Sequence, residues 1–476
     1  MKRNIIILAF IMLLWGCSDF LVRAPETSQS NELTLSEYSG LNKATAGAYS
    51  ILVSSSWYGG AFILDAEMRS GNGKRPAQSD YTSGRYTVPY SLDYNQNSTP
   101  AQWSYSYYVI SCANNIIANL TEDKVSSTVT QQDLNNLHGE ALFLRALSHF
   151  DLVRTYAQSY NFKPDGPGVP IIDRPQTPND QPARNSVKEV FDFIVSDLKQ
   201  AESLMADGYQ RTGVTDPTAT CTKPAIQALL SRVYLYMGQW QNAADYATKV
   251  INNTKYRMWT PTQYLNVWGQ DVYSAGEVIF SVYGIKANSY DAYWDACSYM
   301  TSPDGYADCA ASNDLVFMYD EDDVRGKLFR GVDDVPNLFW TTKYIGKGKG
   351  TPDQTNTIVL RLSEMYLNRA EAIVNGANVS GVTAVSDLNV ITSNRNAPAY
   401  STVTREDVFQ ERRKELAWEG HLWFDYSRLG RAMVRTDFTG TILTNKDLPY
   451  PDWRWAMPIA QREFDANPNL VQNEGY

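Results

Sequence analysis

Three histidines and five cysteines are the whole stock of typical zinc ligands in 476 residues. His138, His149 and His421 stand apart from any cysteine pair, so no metal centre is expected. Beyond the N-terminus no run of 18 apolar residues occurs, which argues against a membrane-spanning helix. Positive charge is also in deficit. With 42 Lys and Arg against 52 Asp and Glu, the net charge of −10 repels nucleic acid. No Gly-x-Ser-x-Gly elbow or Ser-His-Asp order is present. The glycine-lysine stretch 346–351 lacks the spacing of a phosphate loop, and no nucleotide or other cofactor is implied. The acidic runs 320–323 and 333–334 lack the alternating ligands and glycine of an EF-hand, and read as solvated surface. What the chain does have is apolar material for a large core, at 43% of residues. It is also rich in rings with a polar edge: 31 Tyr and 12 Trp outnumber 16 Phe. Such rings suit half-wet surfaces as well as cores.

Lys2 and Arg3 precede a ten-residue apolar run, 5–14, that ends in Trp15-Gly16-Cys17. Ten residues make about 15 Å of helix against a bilayer core of about 30 Å, so the run reads as an export signal. Residues 13–17 resemble a bacterial lipobox. On that reading 1–16 are removed, Cys17 carries the lipid, and 17–35 form a flexible tether between lipid and body. A plain secretory signal is the alternative. Cys112, in an apolar segment, is expected to be a small buried hydrophobe. Cys297 and Cys309 lie in a loop-like stretch and form the candidate disulfide, which would stabilise by about 3 kcal/mol.

The body of the chain carries helical periodicity. In 139–158, Phe143, Ala146, Leu147, Phe150, Val153 and Ala157 recur at three- and four-residue spacing. The stretch 186–204 repeats the pattern, with Ser186 and Glu189 placed as a capping box. In 223–253, Leu230, Ser231, Tyr234, Gly238, Trp240 and Ala243 follow the tetratricopeptide order of large, small, aromatic, turn glycine, aromatic and small. Residues 361–373 and 382–394 form a more degenerate pair. Each unit leaves an apolar face bare and must stack on its neighbour. Between them, 70–100 and 256–350 are long, irregular and rich in Gly, Pro, Asn, Asp and Tyr, the character of a working surface. The expected fold is all-α, a superhelical scaffold of helix pairs with loop-rich insertions. Arg145, Arg154, Glu411, Arg412, Arg413, Glu415, Glu419, Asp425 and Arg428 read as ion pairs or helix-end contacts, not as catalytic groups.

Five blocks in order resemble the SusD/RagB family of Bacteroidetes surface lipoproteins. They are the Cys17-Ser18-Asp19-Phe20-Leu21 start and the Glu140-to-Arg154 helix, then Arg361-Leu362-Ser363-Glu364 with Arg369-Ala370-Glu371-Ala372. The fourth is Glu411-Arg412-Arg413-Lys414-Glu415-Leu416 with Phe424-Asp425 and Arg428-Leu429-Gly430, and the last is the terminus from Pro458 to Tyr476. The resemblance covers the mature chain and implies one SusD-like domain over 36–476, divided at about 255. It implies a ligand face on the loops, an outer-membrane location and a SusC-like TonB-dependent transporter as partner. Its ligands are oligosaccharides, or peptides in some relatives; a surface glycosidase is a third reading, although acids alone are poor evidence for one. A tyrosine or tryptophan ring complements the flat C–H face of a sugar, while Asn, Asp or Arg bonds its hydroxyl rim. The candidate ligand contacts are therefore Trp57, Arg69, Asn72, Tyr81, Tyr86, Tyr90, Tyr94, Tyr290, Tyr293, Trp294 and Tyr299. Trp103, Tyr105, Tyr107 and Tyr108, leading into a helix, are assigned to the core.

Overall fold

The computed structural model describes residues 35–273, 276–284, 295–346, 355–438 and 445–476. The leader and Cys17 lie outside them. Among the described residues eleven helices have eight residues or more. They are α1 Tyr38–Ile51, α2 Ala61–Ser70, α3 Gln102–Asn119, α4 Gln131–Tyr156, α5 Val187–Leu204, α6 Lys223–Tyr236, α7 Trp240–Ile251, α8 Leu362–Val374, α9 Ala384–Ser393, α10 Arg405–Glu415 and α11 Leu422–Leu429. Helix α4 packs on α3 and α5, α5 on α6, α6 on α7, α7 on α8, and α8 on α9 and α10. No helix among the described residues is long and apolar enough to cross a membrane.

The local chemistry explains this frame. Thr130 with Asp133, Ser186 with Glu189, Thr383 with Ser386 and Thr404 with Asp407 close capping boxes at the starts of α4, α5, α9 and α10. The box at Thr130 starts α4 eight residues before the apolar repeat that marks it in sequence. Gly238, at φ +67°, turns the chain between α6 and α7. The small Ser231 lets these helices approach, and its Oγ donates to the Ala243 carbonyl at 2.9 Å. Asn368 of α8 then donates to Ser231 Oγ at 3.2 Å, tying the next layer on.

The insertions are less irregular than their composition suggests. They hold two small antiparallel sheets, so the molecule is mostly rather than wholly helical. One sheet has the order β1 (Gly73–Lys74), β3 (Ala310–Ala311), β5 (Val335–Thr341), β4 (Phe329–Val332); the other pairs β2 (Val278–Val282) with β6 (Thr357–Arg361). In β2 and β6 every residue is buried, which removes the period-two alternation that marks a strand in sequence.

A buried charge network fastens these insertions to α10 and the turn that follows it. Glu415 receives Arg361 Nη1 at 2.6 Å, Arg395 Nη2 at 2.8 Å and Arg325 Nη1 at 3.2 Å. Glu277 bonds Arg395 and Arg361, Glu411 bonds Arg325, and Glu419 bonds both Arg361 and Lys343. All these side chains are at most 5% exposed. Asp425 takes Arg412 and Arg428, and Arg145 grips Asp197 through two bonds of 2.7 Å. The acidic and basic residues of these blocks are thus ion pairs, as expected, but inside the molecule, apart from the half-buried Arg413, which donates to Asn72 Oδ1. Asp323 likewise departs from the solvated surface expected of it, being buried against Arg325.

The cysteines also differ from expectation. Cys297 and Cys309 are buried free thiols: Cys297 opens a four-residue helical turn with its Sγ 3.7 Å from the Gly60 carbonyl. Burial raises the pKa of both well above the ordinary range, which keeps them protonated and inert. Cys112 is half-buried. Titration with a chromogenic disulfide reagent should therefore find Cys221, Cys297 and Cys309 silent in the native protein. Denaturation without reductant should release all three together with Cys112; release of only two would establish the bond.

Candidate functional site

The sequence candidates divide sharply by burial. Trp57 is fully buried, and its indole donates to Asp151 Oδ2 of α4 at 2.8 Å, beside the Tyr58 hydroxyl at 2.7 Å. It anchors the loop to the helical frame. Arg69 is 2% exposed, with its guanidinium 4.1 Å from the Trp423 ring centre. Asn72 is buried between Glu67, at 2.8 Å, and Arg413, at 2.9 Å. Tyr86 is in the core; Tyr90 stacks on Phe438 at 5.1 Å; Tyr94 donates to Asp65 Oδ2 at 2.7 Å. Burial pushes Asp65 up to about 6, against the opposing pull of Tyr94 and Arg69. These six side chains cannot meet a ligand from solvent, contrary to the expectation of exposed loop rings. Trp103 is in the core as expected, whereas Tyr105 and Tyr108 are exposed. Tyr290, Tyr293 and Trp294 lie outside the described residues.

Tyr81 and Tyr299 remain half-exposed, and the structure surrounds them with groups the sequence did not single out. Tyr81 lies on the buried Trp340 of β5 at 5.2 Å between ring centres, with its hydroxyl 3.1 Å from Asp334 Oδ1. Tyr299 meets Tyr306 edge to face at 4.8 Å. The guanidinium of Arg85 sits 3.8 Å over the Tyr306 ring, and its Nε is 3.2 Å from Asp295. The turn carrying Arg85 is held rigid from below. Buried Asp308 accepts from the Ser83 and Gly84 amides at 2.9 and 2.8 Å and from the Thr82 hydroxyl at 2.8 Å.

A cavity of 190 Å³ opens beside this cluster. Ser298 and Thr301, Asp304, Arg330, Trp340 and Tyr344 line it. Arg330 and Asp304 form an exposed pair at 2.7 Å, while Ser298 Oγ is buried without a hydrogen-bond partner among the described residues. The arrangement offers ring faces, a cation, carboxylates and an unused hydroxyl within one loop face. Such a combination has the chemistry to complement a polyhydroxylated ligand. Local sequence gave no distinct signal for it, since Lys74, Glu277, Asp304 and Arg325 also adjoin glycines in the irregular stretches.

The fold and this loop face define a class of helical-frame binding proteins. Two family descriptions match the chain: "Starch-binding associating with outer membrane" over residues 19–235, and the SusD family over residues 328–476. A SusD superfamily protein of Bacteroides thetaiotaomicron superposes with a TM-score of 0.80 at 30% identity, covering 91% of this chain and 98% of that one. A SusD-like protein of Bacteroides ovatus is 24% identical over 89% of this chain and 82% of its own length. The starch-binding protein SusD of Bacteroides thetaiotaomicron is 30% identical over 129 residues, 26% of this chain and 22% of its own. The chain belongs to the SusD/RagB family.

Proposed function

We propose that this protein binds oligosaccharides without cleaving them, at the outer membrane to which Cys17 anchors it. It then passes them to a SusC-like TonB-dependent transporter. The observation that carries the reading is the cluster of Tyr299, Tyr306 and Arg85, with Tyr81 on Trp340, beside a loop-face cavity that Asp304, Arg330 and Trp340 line. The family description supports it, since it couples starch binding to the outer membrane. A shallow face of this kind favours modest affinity, about 4–8 kcal/mol, which allows release to a transporter.

Calorimetric titration of the detergent-solubilised lipoprotein against neutral and charged glycans and against peptides tests the reading. Tyr299→Ala is expected to weaken glycan binding about tenfold, the worth of one lost ring contact, with the unfolding midpoint little changed. Binding to peptides alone, or glycan turnover, would overturn the assignment. Purification through the lipoprotein should also recover a large barrel protein, and its consistent absence would remove the transporter step.

A further inference from the structure

A cavity of 540 Å³ lies away from the loop face, among the ends of the frame helices. It is walled by Trp240 at the start of α7, by Phe162 and Tyr450, and by Arg405 and Phe409 of α10, with Arg428 and Arg431 at and beyond the end of α11. Its size is that of small-molecule sites in general. Phe162 is 44% exposed and meets Tyr450 edge to face at 5.5 Å, so apolar ring surface is held open to solvent at the rim. Gly430, at φ +66°, brings the backbone close under Tyr450, where a Cβ would stand 3.3 Å from the ring.

The charges are sorted. Three arginines and one glutamate line this cleft in a chain of net charge −10. Glu371 on the floor is fully taken up by Arg428, whose Nη2 lies 2.7 Å from Oε2 while Nη1 bonds Oε1. Arg431 lies 3.9 Å over the Phe409 ring and pairs with Glu406. Arg405, exposed at the mouth, has no ion pair or hydrogen bond among the described residues. Asn161 directs its amide nitrogen to the Arg428 carbonyl at 3.2 Å, which leaves its oxygen as a neutral acceptor beside the rings.

We infer that this cleft is a second ligand site, for a saccharide bearing a carboxylate. Ring faces of Phe162 and Trp240 cover the sugar's C–H face, and Arg405 takes the carboxylate. A neutral sugar leaves that guanidinium unused, and a ligand without a flat apolar face leaves the rings unused. The site does not depend on the loop face.

Calorimetric titration of the full lipoprotein with digalacturonate, with maltose as the neutral comparator, decides it. Wild-type protein should bind digalacturonate at least tenfold more tightly than maltose at this cleft. Arg405→Gln should abolish that preference and Phe162→Ala should weaken binding of digalacturonate, while Tyr299→Ala leaves it unchanged. Both altered cleft residues are exposed, so folding is retained. No binding of digalacturonate up to about 10 mM, about 3 kcal/mol, would overturn the inference. So would binding indifferent to Arg405→Gln, or binding lost in Tyr299→Ala, which would move the acidic sugar to the loop face.

Discussion

Glu415→Gln is expected to lower the stability of the folded protein by at least about 4 kcal/mol, read as a fall in the urea midpoint. The reason is the number of partners stranded. Glu415 is fully buried and its carboxylate meets Arg325, Arg361 and Arg395, while its carbonyl accepts from Arg361 Nη2 at 2.6 Å. Those three guanidiniums hold its pKa well below the usual carboxylate range, against the opposing effect of burial. A neutral amide keeps the volume but leaves the surplus positive charge in a low-dielectric interior, where no water can compensate it. The exposed pair Lys188–Asp192, side chains 53% and 51% exposed, is the control. Lys188→Gln should cost under about 0.5 kcal/mol, because solvent already screens that contact. Equal effects at the two positions would mean that the network does not hold the insertions. The consequence for function follows from where the partners lie. Glu277, Arg325 and Lys343 belong to the insertion that also carries Tyr299 and Arg330, so the loop face is referenced to α10 and the Glu419 turn after it through this cluster.

The frame was largely legible in sequence because its rules are local. Ser231, Gly238 and Trp240 state a hairpin within ten residues, and Ser186 with Glu189 states a helix start within four. Pairing of the charged blocks was legible too, since so many opposite charges on helices need partners. The loop rings were not. Tyr81 and Tyr86 have similar neighbours of Ser, Gly and Thr, yet Tyr81 is half-exposed and Tyr86 buried. What decides their fate is distant: Trp57 is drawn inward by Asp151 and Tyr94 by Asp65, contacts between residues 94 and 29 positions apart. Arg85 escaped notice for the same reason, because Tyr306 and Asp295, which position it, are some 210 residues downstream.

Acidification through the ordinary histidine range should act against the fold at its two buried histidines. His149 is fully buried in α4. Its Nδ1 donates to the Arg145 carbonyl at 2.9 Å and its Nε2 accepts the Ile172 amide at 3.3 Å, so both ring positions are used by the neutral form. Burial lowers its pKa to about 3, and burial with the nearby Arg232, Arg412 and Arg154 pushes His421 well below its ordinary 6.5. An unfolded histidine takes up a proton near pH 6.5 while these two do not. Their stabilising contribution is therefore complete above pH 6.5 and is lost as pH falls below it, by about 1.4 kcal/mol per unit for His149. At pH 5 His149 alone has lost about 2 kcal/mol, and His421 acts in the same direction. Asp65 acts in the opposite sense. Its folded pKa of about 6 lies above the ordinary 3.8, so it protonates first in the folded state and returns about 1.4 kcal/mol between pH 6 and 5. Glu67, Glu140, Asp197 and Asp387, also raised by burial, act in the same sense as Asp65, so urea denaturation between pH 7.5 and pH 5 should show a smaller loss than the histidines alone would give. Below the ordinary carboxylate range it steepens, as Glu411, Glu415, Glu419 and Asp425, all held low by their arginine and lysine partners despite burial, lose their contribution in turn. His149→Gln separates the histidine effect from the rest. It should cost some stability at pH 7.5, yet make the decline between pH 6.5 and 5 shallower by about 2 kcal/mol. A variant that loses stability with unchanged slope would show that His149 charges within the fold, and would refute the assignment of its neutral state.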